Sequence, residues 1–200
     1  MSEYIIFGAT FAFAAAVQPG PLLAYLVSQT ISKGWRKTLP ASLAPIISDG
    51  PIIILVLLLL NNIPDWSIKL LHLGGGLFLF YLSFNAYKSW KNFNAGQFSE
   101  TTSRQTLLNA TFVNLLNPAP YLGWSLVMGP LFLKGYRETP MNGFSLIISF
   151  YSTMIICLAG IILLTSLTKS AGTKINRAVI GFSAAALFCF GIYQIILGFS

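Results

Sequence analysis

Charge is scarce in this chain. Only 8% of its 200 residues are charged and 55% are hydrophobic, whereas a soluble domain carries about a quarter charged residues. So few charges cannot clothe the surface of a soluble monomer. So much hydrophobicity also excludes disorder, which arises when a chain is too polar to form a core. Acids are scarcer still, with five Asp and Glu against twelve Lys and Arg, a net charge of +7. That excess could signal a nucleic-acid partner, but the basic residues never cluster among aromatics. They sit between long apolar runs, as in membrane proteins, and no nucleic-acid partner is expected. Histidine occurs once and cysteine twice. Cys157 and Cys189 lie inside apolar runs with no CxxC and no metal spacing, which argues against zinc or redox chemistry. The apolar runs hold no nucleophile–base pair and no intramembrane protease motif. The chain is not expected to be an enzyme, and no cofactor is called for.

What is present is a series of apolar stretches, each long enough to cross a bilayer, for which a helix needs roughly 20 residues. Charge is absent from Tyr4 to Ser32, from Leu70 to Tyr87, from Gln105 to Leu133, from Thr139 to Thr168 and from Ala178 to Ser200. Between Thr38 and Leu60 the one charge is Asp49. The expected fold is therefore an all-α integral membrane protein of six spans, forming a single membrane domain over 1–200. Glu3 and the lack of a basic leader argue against a signal peptide. The connections after spans one, three and five hold Lys33, Arg36, Lys37, Lys88, Lys91, Arg104, Lys169, Lys174 and Arg177. The other side holds Lys69, Lys134 and Arg137. Nine against three places the first group in the cytoplasm and both termini outside, in a plasma (inner) membrane. The polar stretch of about 91–104 reads as a cytoplasmic linker.

The two halves, about 1–90 and 105–200, resemble each other. Lys33-Gly34-Trp35-Arg36 matches Lys134-Gly135-Tyr136-Arg137, and the register through Ser48 and Ser149 gives seven identities in sixteen positions. Gln18-Pro19-Gly20-Pro21 aligns with Asn117-Pro118-Ala119-Pro120 after a two-residue shift. Three spans per half is an odd number, so the second copy enters from the opposite face. This is an inverted repeat of the kind found in secondary transporters.

The paired Pro-x-Pro motifs are expected to break spans one and four near their middles, because proline removes a helix donor and disfavours helix in the residue before it. Freed backbone groups cannot face lipid and must line a cavity or be buried against protein. Half-helices starting at about Pro21 and Pro120 would offer the amides of Leu22, Leu23 and Ala24, and of Tyr121, Leu122 and Gly123, as an anion site at the positive helix end. Gln18 and Asn117 add neutral polar groups beside each break. The expected substrate-binding set is Gln18, Pro19, Gly20, Pro21, Asp49, Asn117, Pro118, Ala119 and Pro120.

Asp49 is central in span two, where an acid costs at least about 2.5 kcal/mol. No Lys or Arg lies at matching depth in another span. A proton or a cationic group is its expected transient partner, unless hydroxyl neighbours such as Ser48 or Ser42 hold it neutral. Its repeat counterpart is Phe150, so the acid exists in one half only. His72 reads as an interfacial histidine, and Trp35, Trp66, Trp90 and Tyr136 as interfacial anchors. Trp124 and Tyr25, one turn past the breaks, are placed to line a cavity or to pack. Gly74-Gly75-Gly76, and more weakly Gly181 with Ala185, read as close helix contacts.

Pro19-Gly20-Pro21, Lys33-Gly34 with the basic residues after it, Asp49, Gly76-Leu77-Phe78-Leu79-Phe80-Tyr81-Leu82 and Asn114-Leu115-Leu116-Asn117-Pro118 occur in this order over nearly the whole chain. In this the chain resembles the LysE/RhtB family of amino-acid exporters, as an atypical branch with Asn-Pro-x-Pro in span four. Many members carry Lys where this chain has Ala119, and a glycine-rich approach to the acid where it has Ala44-Pro45-Ile46-Ile47-Ser48. The resemblance implies a six-span exporter of amino acids or related small metabolites, driven by protons or membrane potential. The partners expected are a small-molecule substrate, H⁺ and the lipid bilayer, with a homodimer left open. Small-cation or metal efflux and a non-transporting membrane scaffold are the alternatives.

Overall fold

The computed structural model describes residues 1–58, 65–91, 102–167 and 173–199. The polar stretch 92–101 and Lys169, read above as cytoplasmic, lie outside the described residues, as does the side chain of Trp66. Every regular element described is helical: α1 (Ser2–Val17), α2 (Pro21–Lys33), α3 (Trp35–Thr38), a 3₁₀ turn (Leu39–Leu43), α4 (Ala44–Leu58), α5 (Asp65–Lys91), α6 (Ser103–Leu115), α7 (Pro118–Gly123), a π-helical turn (Trp124–Met128), α8 (Gly129–Glu138), α9 (Pro140–Leu167) and α10 (Thr173–Phe199).

By length and composition, Trp35–Val56, Pro140–Leu167 and Lys174–Phe199 are able to cross a membrane. The pair α1–α2, bent by 63°, makes a fourth if taken as one broken span. Helix α5 and the series α6 to α8 occupy the places expected for spans three and four without meeting that standard. Large apolar side chains cover much of the outside, among them Leu126 at 72% exposure, Phe182 at 77% and Ile156 at 69%. A soluble monomer does not present such a surface, and in a bilayer it is the lipid-facing side.

The chain leaves helical geometry at Gln18 and Gly20, whose backbones are extended. Pro21 then opens α2 as its first residue, where a missing N–H costs nothing. Helix α2 ends at Gly34, the one described residue with positive φ, at 87°. A side chain would be strained there, and the turn redirects the chain into α3. The matching Gly135 behaves differently. It lies inside α8, buried against the ring of Tyr4. The repeated Lys-Gly-aromatic-Arg motif thus serves as a turn in one half and as a helix face in the other.

Two helix pairings organise the rest. Helix α1 turns its small face, Gly8, Ala12 and Ala16, inward. A Cβ on Gly8 would collide with Ser149 and the Leu146 carbonyl of α9. Helices α5 and α10 run antiparallel, paired from Leu73 to Trp90 and from Gly181 to Gly198. Leu73 meets Gly198, Gly76 meets Gly191 and Ile195, Phe80 meets Gly191, and Trp90 meets Gly181. Of the Gly74–Gly76 triplet, Gly75 and Gly76 make close contacts and Gly74 does not. Gly181 accommodates the indole of Trp90 rather than a neighbouring backbone.

Candidate functional site

Helix α4 carries Ser48 and Asp49 between Pro45 and Pro51. Pro51 cannot donate to the carbonyl four residues back, so the helix is loosened one turn around the acid. Asp49 is 3% exposed, and its oxygens receive donors from three separate elements. Asn114 Nδ2, near the end of α6, donates to Oδ1 at 3.0 Å. Tyr151 Oη, on α9, donates to Oδ2 at 3.2 Å. Trp124 Nε1, opening the π-helical turn, donates to Oδ2 at 3.4 Å. Ser48 Oγ lies 3.4 Å from Oδ1 but is nearer the Ala44 carbonyl at 3.0 Å and the Pro45 carbonyl at 3.2 Å. A hydroxyl has one proton, so Ser48 contributes least to the acid. It accepts the second proton of the Asn114 amide at 2.8 Å.

Aromatic rings wall this cluster. Trp124 stacks on Tyr151 with centroids 6.5 Å apart, and Phe150 meets Trp124 edge-on at 6.1 Å. The repeat counterparts Asp49 and Phe150 therefore converge on one indole. The π-helical turn has a local cause. Pro130 cannot donate to the Leu126 carbonyl, and its ring crowds that turn. The wider turn sets Trp124 toward α4, and such π-bulges recur at functional sites.

A carboxylate offers about four lone-pair directions. Three are used by Asn114, Tyr151 and Trp124, and all its partners among the described residues are neutral. The arrangement is that of an anion solvated by protein donors, with capacity for one further proton or cationic donor. Because the donors come from α6, the π-helical turn and α9, the acid registers any relative shift of these elements.

The two breaks differ. Helix α7 starts at Pro118, two residues earlier than expected, and its four terminal N–H positions are all accounted for. Asn117 N–H donates to the Asn114 carbonyl at 3.2 Å. Ala119 N–H donates to Asn117 Oδ1 at 3.2 Å. Pro118 and Pro120 have no N–H. Tyr121, Leu122 and Gly123 lie inside the helix, so this end offers no anion site of the kind expected. Helix α2 is capped by glycine without a side-chain bond. Ala24 N–H is taken by the Gly20 carbonyl at 3.0 Å, which leaves the Leu22 and Leu23 amides at the positive helix end.

The expected site residues are thus divided. Gln18 and Pro19 are exposed at the first break, and Gly20 and Pro21 half-buried. Asn117, Pro118, Ala119 and Pro120 form the capped start of α7. None of these eight bonds to Asp49. Tyr25 is buried, with its hydroxyl on the Thr106 carbonyl at 3.4 Å, whereas its counterpart Trp124 reaches the acid. In the sequence Asn114 stands out only as part of the Asn114-Leu115-Leu116-Asn117-Pro118 stretch, and Tyr151 not at all. Asn114 lies three residues before Asn117 in the expected fourth span, and Tyr151 is next to Phe150, the counterpart of Asp49; these are the signals the sequence offers. His72 is half-buried, with Nδ1 unpartnered.

Comparison with curated proteins found no match, and comparison with solved structures found none either. The family model of the LysE type translocator matches residues 13–198. That span contains both proline breaks, Asp49 and each of its donors. This multi-pass membrane chain therefore belongs to the LysE type translocator family, a family of transporters rather than enzymes.

Proposed function

We propose that the chain is a secondary exporter of amino acids or related small metabolites in the plasma membrane, built as six spans in two inverted repeats. The observation that carries this reading is Asp49, buried among neutral donors from three elements without a cation among its partners. A permanently paired acid would be structural. An acid solvated only by neutral groups can take up and release a positive partner at small cost.

In this reading the substrate ammonium, or the coupling proton, meets Asp49. The substrate carboxylate meets the Leu22 and Leu23 amides beyond Gln18-Pro19-Gly20-Pro21, where the helix end favours an anion. Asn117 through Pro120 shape the second break as a capped, rigid turn. Protonation of Asp49 from outside displaces the ammonium there and couples efflux to proton entry. The antiparallel pairing of α5 with α10, the third span of each half, supports the inverted arrangement.

Efflux from proteoliposomes under an imposed pH gradient tests this, with a panel of amino acids and divalent metals, for the wild type and Asp49→Asn. The expected result is gradient-driven amino-acid efflux that the variant loses. Gradient-driven efflux unchanged in the variant would remove the coupling role. Metal efflux alone would replace the substrate class, and no transport by folded protein would favour a scaffold.

A further inference from the structure

Between α5 and α10, toward the C-terminal end of α5, the outer surface opens into a groove of about 680 Å³. That volume is within the range of small-ligand sites. Phe80, Phe84, Tyr87 and Trp90 form one wall, and Gly181 with Ala185 form the floor of the other. Phe84 and Tyr87 are 56% and 47% exposed. The groove is largely apolar, and two cations rest on its aromatic wall. The Lys88 ammonium lies 4.7 Å over the Phe84 ring, and the Arg177 guanidinium 5.1 Å over the Trp90 ring.

The antiparallel register explains why these cations gather. It puts the last turn of α5, with Lys88 and Lys91, at the same end as the opening turns of α10, from which Arg177 reaches back to the Trp90 ring and Lys174 lies further out. The only acid on either helix, Asp65, is at the far end of α5, and α10 has none. An apolar trough bearing at one end cations with no acid beside them among the described residues is complementary to an amphiphile with an anionic head. We propose that this groove binds an anionic phospholipid, with its phosphate between Lys88 and Arg177 and an acyl chain along Phe84, Ala185 and Phe80. The basic end is the face that the Lys and Arg distribution places in the cytoplasm, the leaflet in which anionic headgroups attract such clusters.

A second copy of the chain is the rival occupant, and charge opposes it. A two-fold interface sets the same patch against itself, so the basic ends of both copies would meet. Phosphate reverses that sign, and the guanidinium can hold it through paired donors.

The test is native mass spectrometry of the full chain in detergent, with added phosphatidylglycerol or phosphatidylcholine of matched acyl chains. Wild type should retain one phosphatidylglycerol in preference to phosphatidylcholine. Lys88→Gln with Arg177→Gln should weaken phosphatidylglycerol retention by roughly thirtyfold and leave phosphatidylcholine unchanged. Ala185→Trp, which fills the groove at an exposed position, should weaken both. One variant acts on the headgroup contacts and the other on the acyl trough, so if one fails to fold the other still decides. Equal retention of the two lipids by wild type, retention unmoved by either folded variant, or a dimer without lipid that Ala185→Trp dissociates, would each overturn the proposal.

Discussion

At the scale of single residues, the energetics turn on who solvates Asp49. Asn114 is the closest donor and is 7% exposed. Replacing it with leucine keeps the branched outline of the side chain but strips one carboxylate oxygen and the Ser48 hydroxyl of a donor. Leaving a buried acceptor unsatisfied costs about 1–3 kcal/mol. Asn114→Leu should therefore lower the thermal transition of the detergent-solubilised protein and impair transport together. Trp124→Phe separates the two effects. It keeps an aromatic ring against Tyr151 and Phe150 and removes the 3.4 Å indole donor together with part of the packing of a buried indole. A loss of about 1–3 kcal/mol is expected in the same melt from the missing donor and the smaller ring together, with a larger proportional change in proton-coupled efflux. An unchanged efflux rate would make Trp124 a packing residue. The acid was legible in the sequence because a lone charge in an apolar run has few structural uses. Its donors were less so. The choice between Asn114 and Asn117 depends on where α6 stops, and that is fixed by Asn117 turning its amide oxygen onto Ala119. Tyr151 was hidden because tyrosine in a membrane helix reads equally as an anchor or as packing.

At the scale of elements, glycine decides how closely helices approach. A Cβ on Gly76 would lie 2.9 Å from the Gly191 carbonyl and 2.7 Å from Ile195. Backbone cannot yield cheaply, so α5 and α10 would have to separate. Gly76→Ala should destabilise by about 1–3 kcal/mol, the usual effect of overpacking. Gly160, in the interior of α9, is the internal control. Nothing lies within 4 Å of its added Cβ, so Gly160→Ala should stabilise by up to about 1 kcal/mol through the relieved helix penalty of glycine. Opposite shifts in one thermal assay are the expected result. Equal shifts would mean that α5 and α10 are not in close contact. The glycine triplet foretold a close contact, but its residues at 75 and 76 could be told from the one at 74 only once the partner helix was in place. The breaks show the same limit. Both Pro-x-Pro motifs interrupt a helix as proline chemistry requires, yet one is capped by its own asparagine and the other by glycine. The Gln18 and Asn117 positions align in sequence, but Asn117 caps α7 whereas Gln18 ends α1, two residues before the Gly20 that caps α2, and sequence similarity does not reveal that offset.

At the scale of the whole molecule, the inverted arrangement makes a claim about sides. Lys91 ends α5 and Lys174 opens α10, and the antiparallel register of these helices puts both at the same end of the pair. Met141, 65% exposed, lies at the start of α9, one span away from Lys174. With Cys157 and Cys189 replaced by serine, single cysteines at these three positions can be treated in intact cells with a membrane-impermeant thiol reagent. Met141→Cys should react at once, and Lys91→Cys and Lys174→Cys only after permeabilisation. The distribution of nine Lys and Arg against three predicts which face is which. The helix pairing predicts independently that Lys91 and Lys174 agree. If those two agree and Met141 shares their side, α9 does not cross, and the second half cannot be an inverted copy of the first. If all three react in the reverse order, the repeat survives and the orientation is the opposite one. Disagreement between Lys91 and Lys174 would contradict the α5–α10 register itself, and with it the basic end of the lipid groove.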